Sequence, residues 1–95
     1  MSSRTPTEYV EKATDSSASE ADRKEAIHAL KTANECDELA ALVRNHDIEA
    51  QFREEALEAM GTPQCDDTLQ LLVGEEVLDA DMQSRAVKIL DSMQQ

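Results

Sequence analysis

Apolar residues recur along this chain at a helical spacing, and the whole pattern returns every thirty residues. The segments 23–30 (Arg-Lys-Glu-Ala-Ile-His-Ala-Leu), 53–60 (Arg-Glu-Glu-Ala-Leu-Glu-Ala-Met) and 83–90 (Gln-Ser-Arg-Ala-Val-Lys-Ile-Leu) share an alanine, a branched aliphatic residue and a large apolar residue. A second pattern, Leu-x-x-Leu-Val, begins at Leu39 and again at Leu69. The spacing predicts amphipathic helices, and a fixed period of this length is typical of stacked helical arrays.

The pattern predicts an all-α chain of six helices, because no alternating run of β-branched residues occurs. N-cap residues precede four of the helices: Thr5, Ser19, Asp47 or Glu49, and Asp79. Pro6 and Pro63 suit first helical positions, and Gly61 suits the left-handed position that ends the fourth helix. The expected helices are about 6–14, 20–32, 35–45, 48–60, 63–73 and 80–93.

The thirty-residue period divides the chain into a half-repeat, two full repeats and a half-repeat. At 95 residues the chain has room for one domain, 1–95. A half-repeat at each end leaves an apolar edge that a capping repeat would cover. We therefore expect weak self-association through terminal residues, namely Tyr9, Val10, Val87 and Met93.

The motif Arg, then Ala-[Ile/Leu]-x-Ala-[Leu/Met]-Gly, then x-Leu-x-x-Leu-Val, resembles the HEAT-like repeats of phycobilisome lyases. The resemblance covers about residues 5–93 and is best at 53–61, whereas the third copy has Gln83 in place of the arginine. It implies an α-α superhelix, a right-handed solenoid of about 2.5–3 repeats. Such arrays mostly act as scaffolds for protein interactions.

The resemblance also implies a binding surface, because the second helix of each pair lines the concave face of such arrays. The implied partner-binding residues are Glu8, Glu38 and Thr68, beside Glu11, Ala41 and Leu71. The alternative is that these residues are only the solvent-facing sides of three amphipathic helices.

The charge of the chain restricts its partners. Asp and Glu number 21 against 9 Lys and Arg, a net charge of −12, which repels nucleic acid and anionic lipid. The acid excess, with few lysines and many small apolar residues, resembles proteins from halophiles. No signal peptide or membrane span is predicted, so the expected location is cytoplasmic.

No constellation of residues indicates catalysis, a cofactor or a metal. The enzymatic HEAT-like family, the deoxyhypusine hydroxylases, carries His-Glu pairs that hold iron, but the matching positions here are Lys24-Glu25, Glu54-Glu55 and Ser84-Arg85. His28 and His46 share no ligand spacing. Cys36 and Cys65 stand one residue off the thirty-residue period, and we expect two free thiols.

The sequence favours a non-enzymatic protein–protein interaction module whose protein partner is unknown. Two alternatives stay open: a non-catalytic accessory subunit or chaperone of an enzyme, as in a cofactor-lyase helper, and an acidic mimic of nucleic acid.

Overall fold

The computed structural model describes residues 5–93, which form six α-helices and one short 3-10 helix, with no strand among them. The α-helices are α1 (Pro6–Thr14), α2 (Glu20–Thr32), α3 (Cys36–Arg44), α4 (Ala50–Ala59), α5 (Asp66–Gly74) and α6 (Ala80–Met93). The 3-10 helix, Pro63–Cys65, directly precedes α5. The bounds lie within two residues of the predicted ranges, except at the start of the fifth helix.

The helices form two layers. α3 contacts both α1 and α5, and α4 contacts both α2 and α6, so odd-numbered and even-numbered helices each lie side by side. Each odd-numbered helix also packs on the even-numbered helix that follows it, and we call α1/α2, α3/α4 and α5/α6 the three helix pairs. The molecule measures 40 × 26 × 19 Å, and its apolar core lies between the layers.

Alanines at one repeat position set the spacing of the even-numbered layer. Ala26, Ala56 and Ala86 are 3%, 0% and 0% exposed. A side chain this small lets neighbouring helices approach closely, and close packing gives strong dispersion contacts. The larger residues Leu57 and Met60 of the same repeat are also fully buried.

The predicted helix starts are confirmed at three N-caps. Thr5, Ser19 and Asp79 each accept a hydrogen bond from the backbone N–H three residues later, at 3.3, 3.1 and 2.9 Å. Glu49 occupies the N-cap position of α4, but its side chain makes no capping hydrogen bond. The Glu49 carboxylate instead contacts Arg23 of the preceding helix pair.

The predicted role of Gly61 is wrong, since no described glycine has a positive φ. Gly61 instead lies close to α6: a Cβ there would lie 2.9 Å from Ile89 Cγ2 and 3.2 Å from the Glu58 carbonyl oxygen, so these neighbours would have to shift. The left-handed positions are occupied by Asn34 (φ 59°) and Glu76 (φ 58°).

The prediction of two free thiols is also wrong, because Cys36 and Cys65 form a disulfide with their Cα atoms 5.3 Å apart. The error has a structural cause. Pro63 begins a 3-10 turn, so Cys65 stands just before α5 rather than on its surface, where it faces the first residue of α3. Disulfides are typical of oxidising compartments, so this pairing does not favour the expected cytoplasmic location.

Candidate functional site

The six residues implied as a partner-binding surface all lie on the odd-numbered layer, two on each of α1, α3 and α5. Four of them are exposed and two, Glu38 and Thr68, are half-buried. Since the three helices lie side by side, equivalent positions form rows across the layer. With the exposed Asp37 and Asp67 they define the acidic face: Glu8, Glu11, Asp37, Glu38, Ala41, Asp67, Thr68 and Leu71.

Among the residues that the structure describes, cations are nearly absent from the acidic face. Arg44 borders it, but its Nε and Nη2 atoms donate to Glu75 Oε1 at 3.0 and 2.8 Å. The other surface cations of the described helices lie elsewhere: Lys12 in the groove between α1 and α2, and Lys24, Lys31, Arg85 and Lys88 on the even-numbered layer. Segregated charge of this kind produces a negative potential over one side of the molecule.

Carboxylates crowd the start of α3, at one end of the acidic face. Partial desolvation, a hydrogen bond to Glu38 and repulsion by the Glu38 and Asp37 charges raise the pKa of Glu35. The raised pKa means that the ionised form of Glu35 is less favourable here than in water. A cation placed against this end of α3 would relieve the repulsion.

Leu71 is the one strongly exposed large apolar side chain of the face, at 63%. It lines a shallow depression with Asp67, Gln70 and Glu75. An apolar centre with a polar rim is the usual anatomy of a protein interface.

Polar side chains at positions 23, 53 and 83 form a row that the sequence pattern does not predict; Arg23 and Arg53 are buried and Gln83 is half-buried. Arg23 Nε donates to the Ala13 carbonyl at 2.9 Å, and Arg53 Nε donates to the Val43 carbonyl at 2.8 Å. Gln83 departs from the pattern, since it replaces the arginine. Its Nε2 nevertheless donates to the Val73 carbonyl at 3.1 Å, so all three side chains bind the carbonyl ten residues earlier.

The two arginines differ in what else they bind. Arg23 Nη1 and Nη2 donate to the Glu49 carboxylate at 2.9 and 3.3 Å, and its guanidinium carbon lies 3.8 Å from the centre of the Phe52 ring. The equivalent carboxylate for Arg53 is Asp79, which is one methylene shorter and caps α6. Arg53 Nη2 is therefore buried without a hydrogen-bond partner.

The two histidines of residues 5–93 lie in different elements. His28 is exposed on α2, and His46 is exposed in the loop after α3. No group of three or more His, Cys, Asp or Glu side chains within that range is arranged to hold a metal ion. None of the described helices has the length and apolar character needed to cross a membrane.

Comparisons with protein-family models, with the curated proteins and with the solved structures found no match to this chain.

Proposed function

We propose that this protein is a non-enzymatic interaction module of the HEAT-like repeat type, which binds the basic surface of a protein partner through its acidic face. The observation that carries the proposal is the separation of charge. Five carboxylates share the acidic face, and its bordering arginine, Arg44, is paired with Glu75. Charge complementarity of this kind selects partners and speeds their association.

The architecture supports the same proposal. Two layers of alternating helices, with a thirty-residue period, are compatible with a right-handed α-α superhelix of about 2.5–3 repeats. Stacked repeats place equivalent side chains in rows, and such a surface suits an extended partner. Leu71 supplies an apolar contact among the carboxylates.

Charge reversal on the acidic face tests the proposal. The variant Glu11→Lys/Glu38→Lys changes one carboxylate near the end of α1 and one near the start of α3. The control Asp81→Lys/Asp91→Lys makes the same charge change in the first and last turns of α6, outside the acidic face. The measurement is the capture of proteins from a lysate of the native cells, followed by titration calorimetry with the purified captured protein.

We expect the first variant to weaken binding by at least about tenfold, or about 1.4 kcal/mol, and the control to bind like the wild type. Binding should also weaken between about 0.1 M and about 1 M NaCl, since salt screens exposed charges. Equal losses in the two variants would contradict a role for the acidic face. Displacement of the partner by duplex DNA would instead favour the nucleic-acid mimic.

A further inference from the structure

The last helix pair exposes an apolar position that the earlier pairs bury. Ile27 and Leu57 are 2% and 0% exposed, because a further helix pair follows each of them. Val87, thirty residues after Leu57, is 40% exposed, and Leu90 and Met93 are half-buried. We name this surface of α5 and α6 the trailing edge, defined by Asp66, Gln70, Gln83, Val87, Lys88 and Leu90.

The opposite end of the molecule carries the matching surface. A groove between α1 and α2 is lined by Tyr9, Lys12, Asp22, Glu25 and Ala29, which we name the leading edge. In the second helix pair the equivalent surface packs on the first pair. Ala59, for example, is 7% exposed, whereas Ala29 is half-buried.

Opposite charges meet at both joints, which are the contacts of α2 with α4 and of α4 with α6 between successive helix pairs. At the first joint Lys24 Nζ lies 3.9 Å from Glu55 Oε1. At the second joint Arg85, thirty residues after Glu55, pairs with Glu54 and Glu58, both at 3.1 Å. Lys24 and Glu54 thus stand at one repeat position, and Glu55 and Arg85 at the next. The two positions attract each other at both joints, although the positive and negative charges are exchanged.

At a third joint Ser84 would take the position of Lys24 and Glu54, whereas Lys88 and Glu25 would repeat the contact that Glu58 makes with Arg85. The residue thirty positions after Glu58 is Lys88, on the trailing edge. The residue thirty positions before Glu55 is Glu25, on the leading edge. Neither Lys88 nor Glu25 has an ion pair within residues 5–93, and a third joint would bring these opposite charges together.

A buried polar atom at the trailing edge also lacks a partner. Gln83 Oε1 makes no hydrogen bond in the described structure. Arg23, at the equivalent position, binds Glu49, the N-cap residue of the next even-numbered helix. At a third joint that N-cap residue would be Ser19 of a second copy. The Ser19 hydroxyl accepts from the Asp22 N–H, and its own proton is available for Gln83.

We infer that a second copy of this chain docks its leading edge on the trailing edge of the first, head to tail, so that the stack of helix pairs continues between molecules. Such a contact is heterologous and leaves a free edge at each end, so it can add further copies. Lys12 and Asp22 occupy leading-edge positions where the later pairs bury Leu42 and Phe52. The contact is therefore weaker than the joints within the chain, and it is reversible.

Two variants that each block one edge test this inference. Val87→Asp places a charge on the trailing edge, and Ala29→Arg places a bulky charge in the leading-edge groove. Leu71→Asp is the control, since it puts the same charge on an exposed apolar position of the acidic face. Masses are measured by sedimentation velocity from about 10 μM to about 1 mM protein, a range suited to weak contacts. Circular dichroism verifies that each variant is folded.

Wild type and Leu71→Asp should grow beyond dimers with concentration, and more so in about 1 M than in about 0.1 M NaCl because the net charge is screened. Val87→Asp and Ala29→Arg should each stay monomeric alone. An equimolar mixture of the two should form dimers and nothing larger, since each retains one complementary edge. A monomeric wild type at both salt concentrations would overturn the inference. Dimers of Ala29→Arg alone would overturn it too, because they would join two trailing edges.

Discussion

At the residue scale, the fold depends on side chains that bind carbonyl groups near the ends of the odd-numbered helices. The last carbonyls of an α-helix have no partner within the helix, and a buried one must be satisfied from outside. Arg23, Arg53 and Gln83 do this for Ala13, Val43 and Val73 in turn. The requirement is for one N–H donor on a long side chain, which is why glutamine can replace arginine.

Substitutions at the two arginines should therefore differ. We expect Arg53→Gln to stay within about 1 kcal/mol of the wild type, because the amide can still bind the Val43 carbonyl and the unpartnered Nη2 is removed. Arg53→Met should cost about 1–3 kcal/mol, because that carbonyl loses its donor. Arg23→Gln should cost more than Arg53→Gln, since it also loses Glu49 and Phe52. Urea unfolding measures all three, and equal losses for the two glutamine variants would contradict this account.

The contact between Arg23 and Glu49 also predicts a dependence on pH. Hydrogen bonding from Arg23 is the largest cause that lowers the pKa of Glu49. A carboxyl whose pKa is lower in the folded state stabilises the fold above its unfolded pKa of about 4.3 and loses that effect as pH falls through the folded value. The free energies of unfolding of wild type and Glu49→Gln should therefore differ at pH 7 and converge in acid.

The control for this comparison is Asp91→Asn, at an exposed carboxylate with no ion pair among the described residues. Its difference from the wild type should change less between pH 7 and acid. Thermal melts across that range provide the measurement. A Glu49→Gln difference that persists in acid would show that the charge of Glu49 is not what stabilises the contact.

At the element scale, helix bounds could be predicted wherever side-chain caps accompany the period, as at Thr5, Ser19 and Asp79. The start of α5 could not, because a proline suits the first position of an α-helix and of a 3-10 turn alike. The disulfide was missed for the same reason. Cys36 and Cys65 stand one residue off the thirty-residue period. Where a side chain points after such an offset depends on whether the local turn is α-helical or 3-10.

The thirty-residue period also predicts the structure of the loops only in part. Asp15 and Asn45 stand thirty residues apart, and each side chain accepts a hydrogen bond from the backbone N–H two residues later, at 2.9 Å. The third loop has Glu75 at that position and a left-handed Glu76 instead. A longer side chain cannot form the same turn, so a repeat in sequence does not ensure a repeat in loop structure.

The disulfide should contribute strongly to stability. Cys36 and Cys65 are 29 residues apart. A cross-link of that span lowers the entropy of the unfolded chain and so raises the free energy of unfolding by about 3–4 kcal/mol. We expect a reducing agent to lower the melting temperature of the wild type and to leave the double variant Cys36→Ser/Cys65→Ser unchanged. Two free thiols titrated in the folded, unreduced protein would contradict the pairing.

At the scale of the whole molecule, the two layers and the positions of Glu8, Glu38 and Thr68 in a row follow from the period alone. The acidic character of that side does not follow from the period. It arises because Arg44 pairs with Glu75 and because the other cations of residues 5–93 lie on the even-numbered layer or in the α1/α2 groove. The twist of the stack is equally inaccessible to sequence analysis, since it depends on small rotations between repeats.

The net charge of −12 leads to a final prediction, about salt. Like charges on a small body repel each other and oppose the compact state. Raising the ionic strength from about 0.1 M to about 1 M shortens the screening length from about 10 Å to about 3 Å. The same salt would weaken the exposed ion pairs, such as those of Arg44 and Arg85, but each contributes only about 0–1 kcal/mol.

Relief of repulsion should outweigh that loss, because the acid excess acts over the whole surface and the ion pairs are few. We therefore expect helicity and melting temperature to rise from about 0.1 M to about 1 M NaCl. Circular-dichroism melts provide the measurement, made at low protein concentration so that self-association does not contribute. A flat or falling melting temperature would mean that the acid excess does not burden the fold, and its role would then lie in binding a partner.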